Sequence, residues 1–336
     1  MLRAVFLGLG HYLPERVVTN DELATMMDTS DEWIRQRTGI RERRFVDFDK
    51  EPMGASDLAT RAAERALENA GVSKEEIDLI IYATLSPDKL FPGDGVLVQA
   101  KLGIPAGVPA LDVRNQCSGF LYGLSTANAF IRSGVYKRIL LIGSEVHSTG
   151  LDFSDVGRDV AVLFGDGAAA VVLGAEETDE ERGILSCHLH ADGRFAEALQ
   201  IGYPSSAEMP RATPEKIMAG EHWPKMQGKT VFKHASVRMP QAVMEALETN
   251  GYESTDLKLF IPHQANLRIS EMVQKRLELR EDQVFNNIQK YGNTTACSIP
   301  LALHEAVMAG RLERGDLLCL AAFGAGFTWG SALIRW

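Results

Sequence analysis

Residues 55–84 of this chain can be laid on residues 235–264 without a gap, and no other feature constrains the fold as strongly. The offset of 180 residues, from position 55 to position 235, pairs Ala66-Leu67-Glu68 with Ala246-Leu247-Glu248 and Gly71 with Gly251. Each copy reads as helix, turn and short apolar strand. The same offset takes Cys117-Ser118 to Cys297-Ser298, and Phe164-Gly165-Asp166-Gly167 is echoed by Phe323-Gly324-Ala325-Gly326. A tandem duplication of a β/α unit follows, each half carrying a central sheet with helices on its faces. The acidic run Glu176-Glu177-Thr178-Asp179-Glu180-Glu181 marks the expected boundary, giving halves 1–175 and 176–336.

Three polar residues stand in settings that suit chemistry. Cys117, in Asn115-Gln116-Cys117-Ser118-Gly119-Phe120, follows the short run Ala110-Leu111-Asp112-Val113 and precedes a small, apolar helical stretch. This is a strand-to-helix elbow. Unpaired N–H groups and the partial positive charge at a helix start are expected to lower the thiol from its free value of about 8.5, making Cys117 the candidate nucleophile. His263 follows the strand-like Leu259-Phe260-Ile261 and Pro262, at the strand end where open α/β sheets place ligands. Asn293, in Tyr291-Gly292-Asn293-Thr294, precedes a helix over 299–308. Alone, such a histidine is more often structural and Gly-Asn is an ordinary turn.

The chain resembles the β-ketoacyl-acyl-carrier-protein synthase III enzymes of the thiolase superfamily. The likeness runs from Gly8-Leu9-Gly10 to Phe327-Thr328-Trp329-Gly330-Ser331-Ala332-Leu333, through Asp28-Thr29-Ser30-Asp31-Glu32-Trp33-Ile34, Arg37-Thr38-Gly39-Ile40, Phe164-Gly165-Asp166-Gly167, Ile261 to Arg268 and Tyr291 to Thr294. The resemblance implies the five-layered αβαβα thiolase fold. It also implies a two-step reaction, in which an acyl group passes from coenzyme A to Cys117 and condenses with malonyl-carrier protein. Decarboxylation of the malonyl group places negative charge on a thioester oxygen, and neutral donors such as His263 Nε2–H and Asn293 Nδ2–H suit that oxygen. The Cys117 amide and a backbone donor in the turn Phe323-Gly324-Ala325-Gly326-Phe327 are expected to serve acylation. Ala325 departs from the family's glycine there, so either the turn keeps an ordinary conformation at Ala325 or the hole is shifted. Asn115-Gln116 also departs from the family, bonding the elbow or reshaping the acyl pocket.

For coenzyme A, the resemblance carries over Trp33 as adenine partner, Arg37 and Arg158 as guanidinium contacts, Thr29 as a polar neighbour, and Gly228 and Asn266 beside the pantetheine arm. An indole face and planar guanidinium forks suit that ligand. The plainer alternative is that Trp33 closes a helix onto the core and Arg37 joins a solvated cluster with Arg35, Arg41, Arg43 and Arg44. Lys233 and Arg268 match a basic patch for the acidic carrier protein, against the alternative of ordinary surface charge. Phe91 is expected to reach the acyl pocket of a partner subunit in a homodimer. The apolar Phe91 also stands where olefin-forming and hydroxymethylglutaryl-type relatives are expected to need an acid.

Composition excludes other classes. The formal charge of −10 argues against nucleic acid as a partner. The longest strongly apolar stretch, 317–327, is shorter than the roughly 20 residues that span a bilayer, and the first ten residues do not read as a signal peptide. Four irregularly spaced cysteines suit a reducing cytoplasm, and Cys187, His188 and His190 lack the second ligand pair of a metal site. No cofactor is expected beyond acyl-coenzyme A as substrate. Residues 203–229 read as a surface loop or lid. Two other readings stay open: a condensing enzyme or acyltransferase of secondary metabolism with another starter, and a non-catalytic acyl-coenzyme A binding module.

Overall fold

The computed structural model describes residues 1–336 and contains two principal sheets. The first holds β1 (Leu2–Tyr12), β2 (Leu79–Ala83), β3 (Ala110–Val113), β4 (Arg138–Glu145) and β5 (Gly167–Glu177), in spatial order β1-β5-β4-β2-β3. The second holds β6 (Gly183–Ala191), β7 (Leu259–Pro262), β8 (Leu317–Gly324) and β9 (Thr328–Arg335), in order β7-β8-β9-β6. The duplication is visible in the pairing. β2 and β4 are parallel, as are β7 and β8; β5 and β9 return antiparallel, with β1 and β6 antiparallel beyond them. The counterpart of β3 is reduced to one parallel bridge, Phe260 with Val284.

The helices that frame the site are α1 (Asp31–Thr38), α2 (Ala55–Ala70), α3 (Gly119–Arg132), α4 (Gly228–Asn250), α5 (Leu267–Arg276) and α6 (Ser298–Met308). Alternation along the strands sorts side chains into layers. Leu79 and Ile81 point to the centre, where Phe120, Leu124, Leu259, Ile261 and Ile299 form the core between the sheets around α3 and α6. Ile80 and Tyr82 point outward to Ala59, Ala62 and Ala63 of α2. On the other side, Phe260 faces Val243 and Leu247 of α4 and Val273 of α5. The five layers expected from the resemblance are therefore present, and both halves share one central core. Both copies of the repeated helix end on a left-handed glycine, Gly71 at φ 62° and Gly251 at φ 74°.

At the elbows the duplication slips by one residue. A 3₁₀ turn at Gln116–Ser118 leads into α3 and one at Thr295–Cys297 leads into α6, with Gln116 (φ 43°) and Thr295 (φ 51°) as matching first residues. The counterpart of Cys117 is thus Ala296, which corrects the pairing with Cys297. Identical Cys-Ser pairs drew the sequence match, whereas turn geometry sets the equivalence.

Residues 178–182 link β5 to β6, and Glu176, still within β5, is held by Arg182 Nη1 at 2.8 and 2.7 Å. The segment 203–229 is more ordered than a plain loop. It includes a short helix, Pro214–Met218, and Lys225–Met226 pairs with Leu199–Gln200 as a small ribbon. Cys187, His188 and His190 lie in β6, as strand residues. No helix is long and apolar enough to cross a membrane.

Candidate active site

Cys117 is the middle residue of the 3₁₀ turn that follows β3, so its side chain is buried where the two halves meet. Burial, and next the charge of Glu145, push the thiol up to about 12, while a backbone hydrogen bond and the Asn293 side chain act the other way. This overturns the expectation of a depressed thiol. A helix start stabilises a thiolate by about 2 kcal/mol at most, and withdrawal from water outweighs it.

His263 sits immediately after β7. Its Nδ1 lies 2.6 Å from Ser298 Oγ, at the start of α6, and its buried Nε2 has no protein partner. Burial lowers the imidazole to about 3, so it is neutral at ordinary pH. Asn293 is fixed on both backbone sides, by Asn293 N–H to Leu163 O at 2.8 Å and Gly165 N–H to Asn293 O at 3.1 Å. Its Oδ1 accepts from Thr295 N–H at 2.8 Å, so the Nδ2 donors face away from that contact.

The turn between β8 and β9 presses on Cys117. A Cβ at Gly324 would lie 2.7 Å from Cys117 Cβ and 3.3 Å from its Sγ, so only glycine fits. Ala325 has no positive φ; that conformation falls on Gly326 at φ 130°. The turn therefore keeps an ordinary conformation at Ala325. Ser118 Oγ and Thr328 Oγ1, 2.6 Å apart, tie the elbow to this turn.

Two cavities meet at Cys117. One, of about 610 Å³, is lined by Cys117, His263 and Asn293 and runs past Asn266 to Trp33 and Arg37. The other, of about 670 Å³, includes Cys117, Leu85, Val146, His147, Leu151 and Ala325. Leu199 and Phe164 border both, and Gln200, Ile201 and Pro224 of the ribbon region cover the second.

Comparison with known proteins agrees with this geometry. Residues 111–193 match the family model for 3-oxoacyl-[acyl-carrier-protein (ACP)] synthase III, and residues 247–336 match the model for its C-terminal part. A β-ketoacyl-[acyl-carrier-protein] synthase III from Xanthomonas euvesicatoria pv. vesicatoria is 49% identical over 335 residues, 98% of this chain and 97% of that protein. One from Rhodospirillum centenum is 48% identical over 338 residues, covering 100% and 99%. The chain belongs to the synthase III family. The crystal structure of 3-oxoacyl-[acyl-carrier-protein] synthase III from Aquifex aeolicus VF5 superposes with a TM-score of 0.89 at 43% identity, covering 99% of this chain and 100% of that one. This synthase III family member has the thiolase-type fold and is an acyltransferase.

The remaining residues singled out in the sequence divide by location. Trp33 and Arg37 line the first cavity, the Arg37 guanidinium carbon 4.3 Å from the indole centroid. Arg158 lies 4.9 Å from the same ring and donates to Asp28 O at 2.6 Å. Thr29 Oγ1 is buried without a partner. Asn266 caps α5, accepting from Arg268 N–H at 3.0 Å, and donates to Arg37 O at 3.0 Å. Gly228 opens α4 beside the cavity, and Arg268 lies on the same wall, its guanidinium carbon 5.7 Å from the Phe232 ring. Lys233 is exposed on α4. Phe91 is 82% exposed and lines neither cavity of its own chain.

The solvated arginine cluster does not form as a unit. Arg43 is fully buried, donating to Val18 O, Asn20 Oδ1 and Val162 O. Sequence reasoning missed Ser298, Glu145, His147 and the pin at Thr295. Ser298 stood beside a noticed cysteine. Glu145 ends an apolar strand; it accepts from Thr84 Oγ1 at 3.1 Å, Ser86 Oγ at 2.5 Å and the Leu85 and Ser86 amides, and burial lifts it to about 7. No local pattern announces such a network.

Proposed function

We propose that the chain catalyses decarboxylative Claisen condensation of an acyl-coenzyme A primer with malonyl-acyl-carrier protein, giving a β-ketoacyl-carrier protein at the start of fatty acid synthesis. The observation that carries this reading is one cavity that presents a buried thiol, an unpartnered imidazole Nε2 and an amide whose oxygen is already engaged.

In the first step Cys117 Sγ attacks the thioester carbonyl. With a thiol near 12, attack needs a proton acceptor, and neutral His263 Nε2 supplies it in the tautomer where Nδ1–H donates to Ser298 Oγ. The proton passes to the departing coenzyme A sulfur, leaving acyl-Cys117. The Cys117 amide and the backbone at Ala325 stabilise the tetrahedral oxyanion. In the second step malonyl-carrier protein enters the vacated cavity. Between the steps the imidazole exchanges protons with water, losing Nδ1–H and gaining Nε2–H, and Ser298 Oγ, accepting from Gln264 N–H at 3.4 Å, then donates to Nδ1. Nε2–H and Asn293 Nδ2–H hold the thioester oxygen as carbon dioxide leaves and charge moves there. The resulting enolate carbon attacks the acyl-Cys117 carbonyl, and the expelled thiolate takes a proton from water. This division needs no cofactor.

The role of each half follows. Residues 1–175 supply the nucleophile and 176–336 supply the imidazole and amide. Trp33, Arg37, Arg158 and Thr29 receive the nucleotide end of coenzyme A, Asn266 and Gly228 flank the pantetheine arm, and Lys233 with Arg268 meets the acidic carrier protein. The second cavity takes a short linear or branched acyl chain, and Phe91 reaches the corresponding cavity of a second copy in a homodimer. The free cysteines suit a cytoplasmic setting.

A paired experiment tests the reading: acyl-Cys117 formation by mass spectrometry, and carbon dioxide release from malonyl-carrier protein. Cys117→Ala gains no acyl mass. Asn293→Ala acylates but loses condensation by on the order of 10²–10³-fold. Failure of Asn293→Ala at acylation alone, with normal decarboxylation, would move the residue to thiol activation.

A further inference from the structure

The acyl-side cavity has a second buried imidazole that the two-step reaction leaves without a task. His147 follows β4 and Val146, and its ring lines the cavity of about 670 Å³. Its backbone is anchored. Asp166, the carboxylate of Phe164-Gly165-Asp166-Gly167, accepts from His147 N–H at 2.7 Å through Oδ1 and from Ser148 Oγ at 2.6 Å through Oδ2. The ring packs against Phe164, with centroids 4.7 Å apart. What remains is one polar contact, His147 Nε2 to Thr295 Oγ1 at 2.7 Å.

Thr295 is the unusual partner. It is fully buried and holds φ at 51°, a left-handed conformation that a β-branched residue adopts at a cost. In that conformation its N–H reaches Asn293 Oδ1 at 2.8 Å. A chain of contacts therefore runs from the Asp166-anchored turn through His147 and the Thr295 hydroxyl to the Asn293 amide. Released from Thr295, the amide could turn its oxygen toward the cavity, presenting an acceptor where the enolate needs a donor.

We infer that His147 is a positioning residue for condensation: through Thr295 it holds the Asn293 amide with Nδ2 toward the malonyl thioester. The inference rests on the donor role proposed for Asn293. Burial lowers the His147 imidazole to about 3, so this link stays neutral through the working range and does not add charge beside the thiol.

The test compares His147→Leu, His147→Gln, Thr295→Val and the double variant His147→Leu/Thr295→Val with Asn293→Ala, using acetyl-coenzyme A and malonyl-carrier protein. His147→Leu removes the nitrogen with modest change in volume; glutamine places an amide nitrogen near the Nε2 position. For Thr295→Val, which lines neither cavity, acyl-Cys117 should form at about the wild-type rate, and His147→Leu, at the wall of the acyl cavity, is read by its condensation relative to its own acylation. The kcat of condensation should fall by about 10–100-fold, the scale of a misplaced catalytic group, with KM for malonyl-carrier protein little changed. His147→Gln should recover most of the loss. The double variant should be no worse than either single one, because both break one chain of contacts.

Equal loss of acylation and condensation in Thr295→Val, additive losses in the double variant, or an effect of His147→Leu confined to the preference among acyl-coenzyme A primers would overturn the inference, the last by limiting His147 to the acyl chain. If His147→Leu lacks a folded melting transition, Thr295→Val decides alone. Normal condensation by Asn293→Ala refutes the amide's donor role, and this inference with it. Loss in Asn293→Ala beside normal condensation in His147→Leu and Thr295→Val refutes only the link.

Discussion

Gly324→Ala tests how closely the turn after β8 controls Cys117, the proposed nucleophile. The added Cβ would stand 2.7 Å from Cys117 Cβ, 3.2 Å from Cys117 N and 3.3 Å from Sγ. Carbon atoms pack at about 3.5–4.0 Å, so the nearest contact is short by about 1 Å, and two of the three atoms are not the free end of a flexible side chain. The elbow or the turn must move by a comparable amount. Overpacking of this kind costs about 1–3 kcal/mol of stability, whereas a 1 Å misplacement of a reacting group costs on the order of 10²-fold in rate. Acylation should therefore drop by about 10²-fold while the protein still melts cooperatively at a modestly lower temperature. Gly193→Ala is the matched control, since its Cβ would meet nothing within 4 Å. The assay is acyl-Cys117 formation by rapid quench and mass spectrometry, with calorimetry on the same samples. A Gly324→Ala enzyme that acylates at the wild-type rate would refute the close approach.

Three further predictions concern electrostatics and the coenzyme. Glu145 raises the thiol through its charge, so Glu145→Gln should shift the pH profile of Cys117 alkylation by iodoacetamide to lower pH; an unmoved profile would separate the two groups. Burial raises Glu145 itself from 4.5 to about 7, so the folded state binds the extra proton in that interval. Wild-type stability relative to Glu145→Gln should thus be highest below about 4.5 and decline as pH rises toward 7, read from paired thermal melts. Trp33→Ala, which removes the ring beneath Arg37 and Arg158, should raise KM for acyl-coenzyme A about tenfold with kcat nearly unchanged, the scale of one stacking contact. A fall in kcat alone would take Trp33 out of coenzyme recognition.

The sequence by itself determined what local patterns encode. Apolar periodicity and the gapless match of 55–84 with 235–264 announced two β/α halves, and their strands occupy corresponding places in the two sheets. The motifs around Cys117, His263 and Asn293 were legible because each sits at a strand end or helix start, where turn residues leave a signature. Tertiary structure decided what depends on contacts between distant segments. The elbow register follows turn geometry, so Cys117 answers to Ala296 although the Cys-Ser pairs match in sequence. Whether the thiol rises or falls depends on burial and on Glu145 from another strand, neither of which a helix start reports. The orientation of His263 comes from Ser298, 35 residues away, and the link from His147 to Thr295 spans 148. A chain records which residues can donate, accept or attack; only packing removes water from them and leaves each one the partners that set its charge and direction.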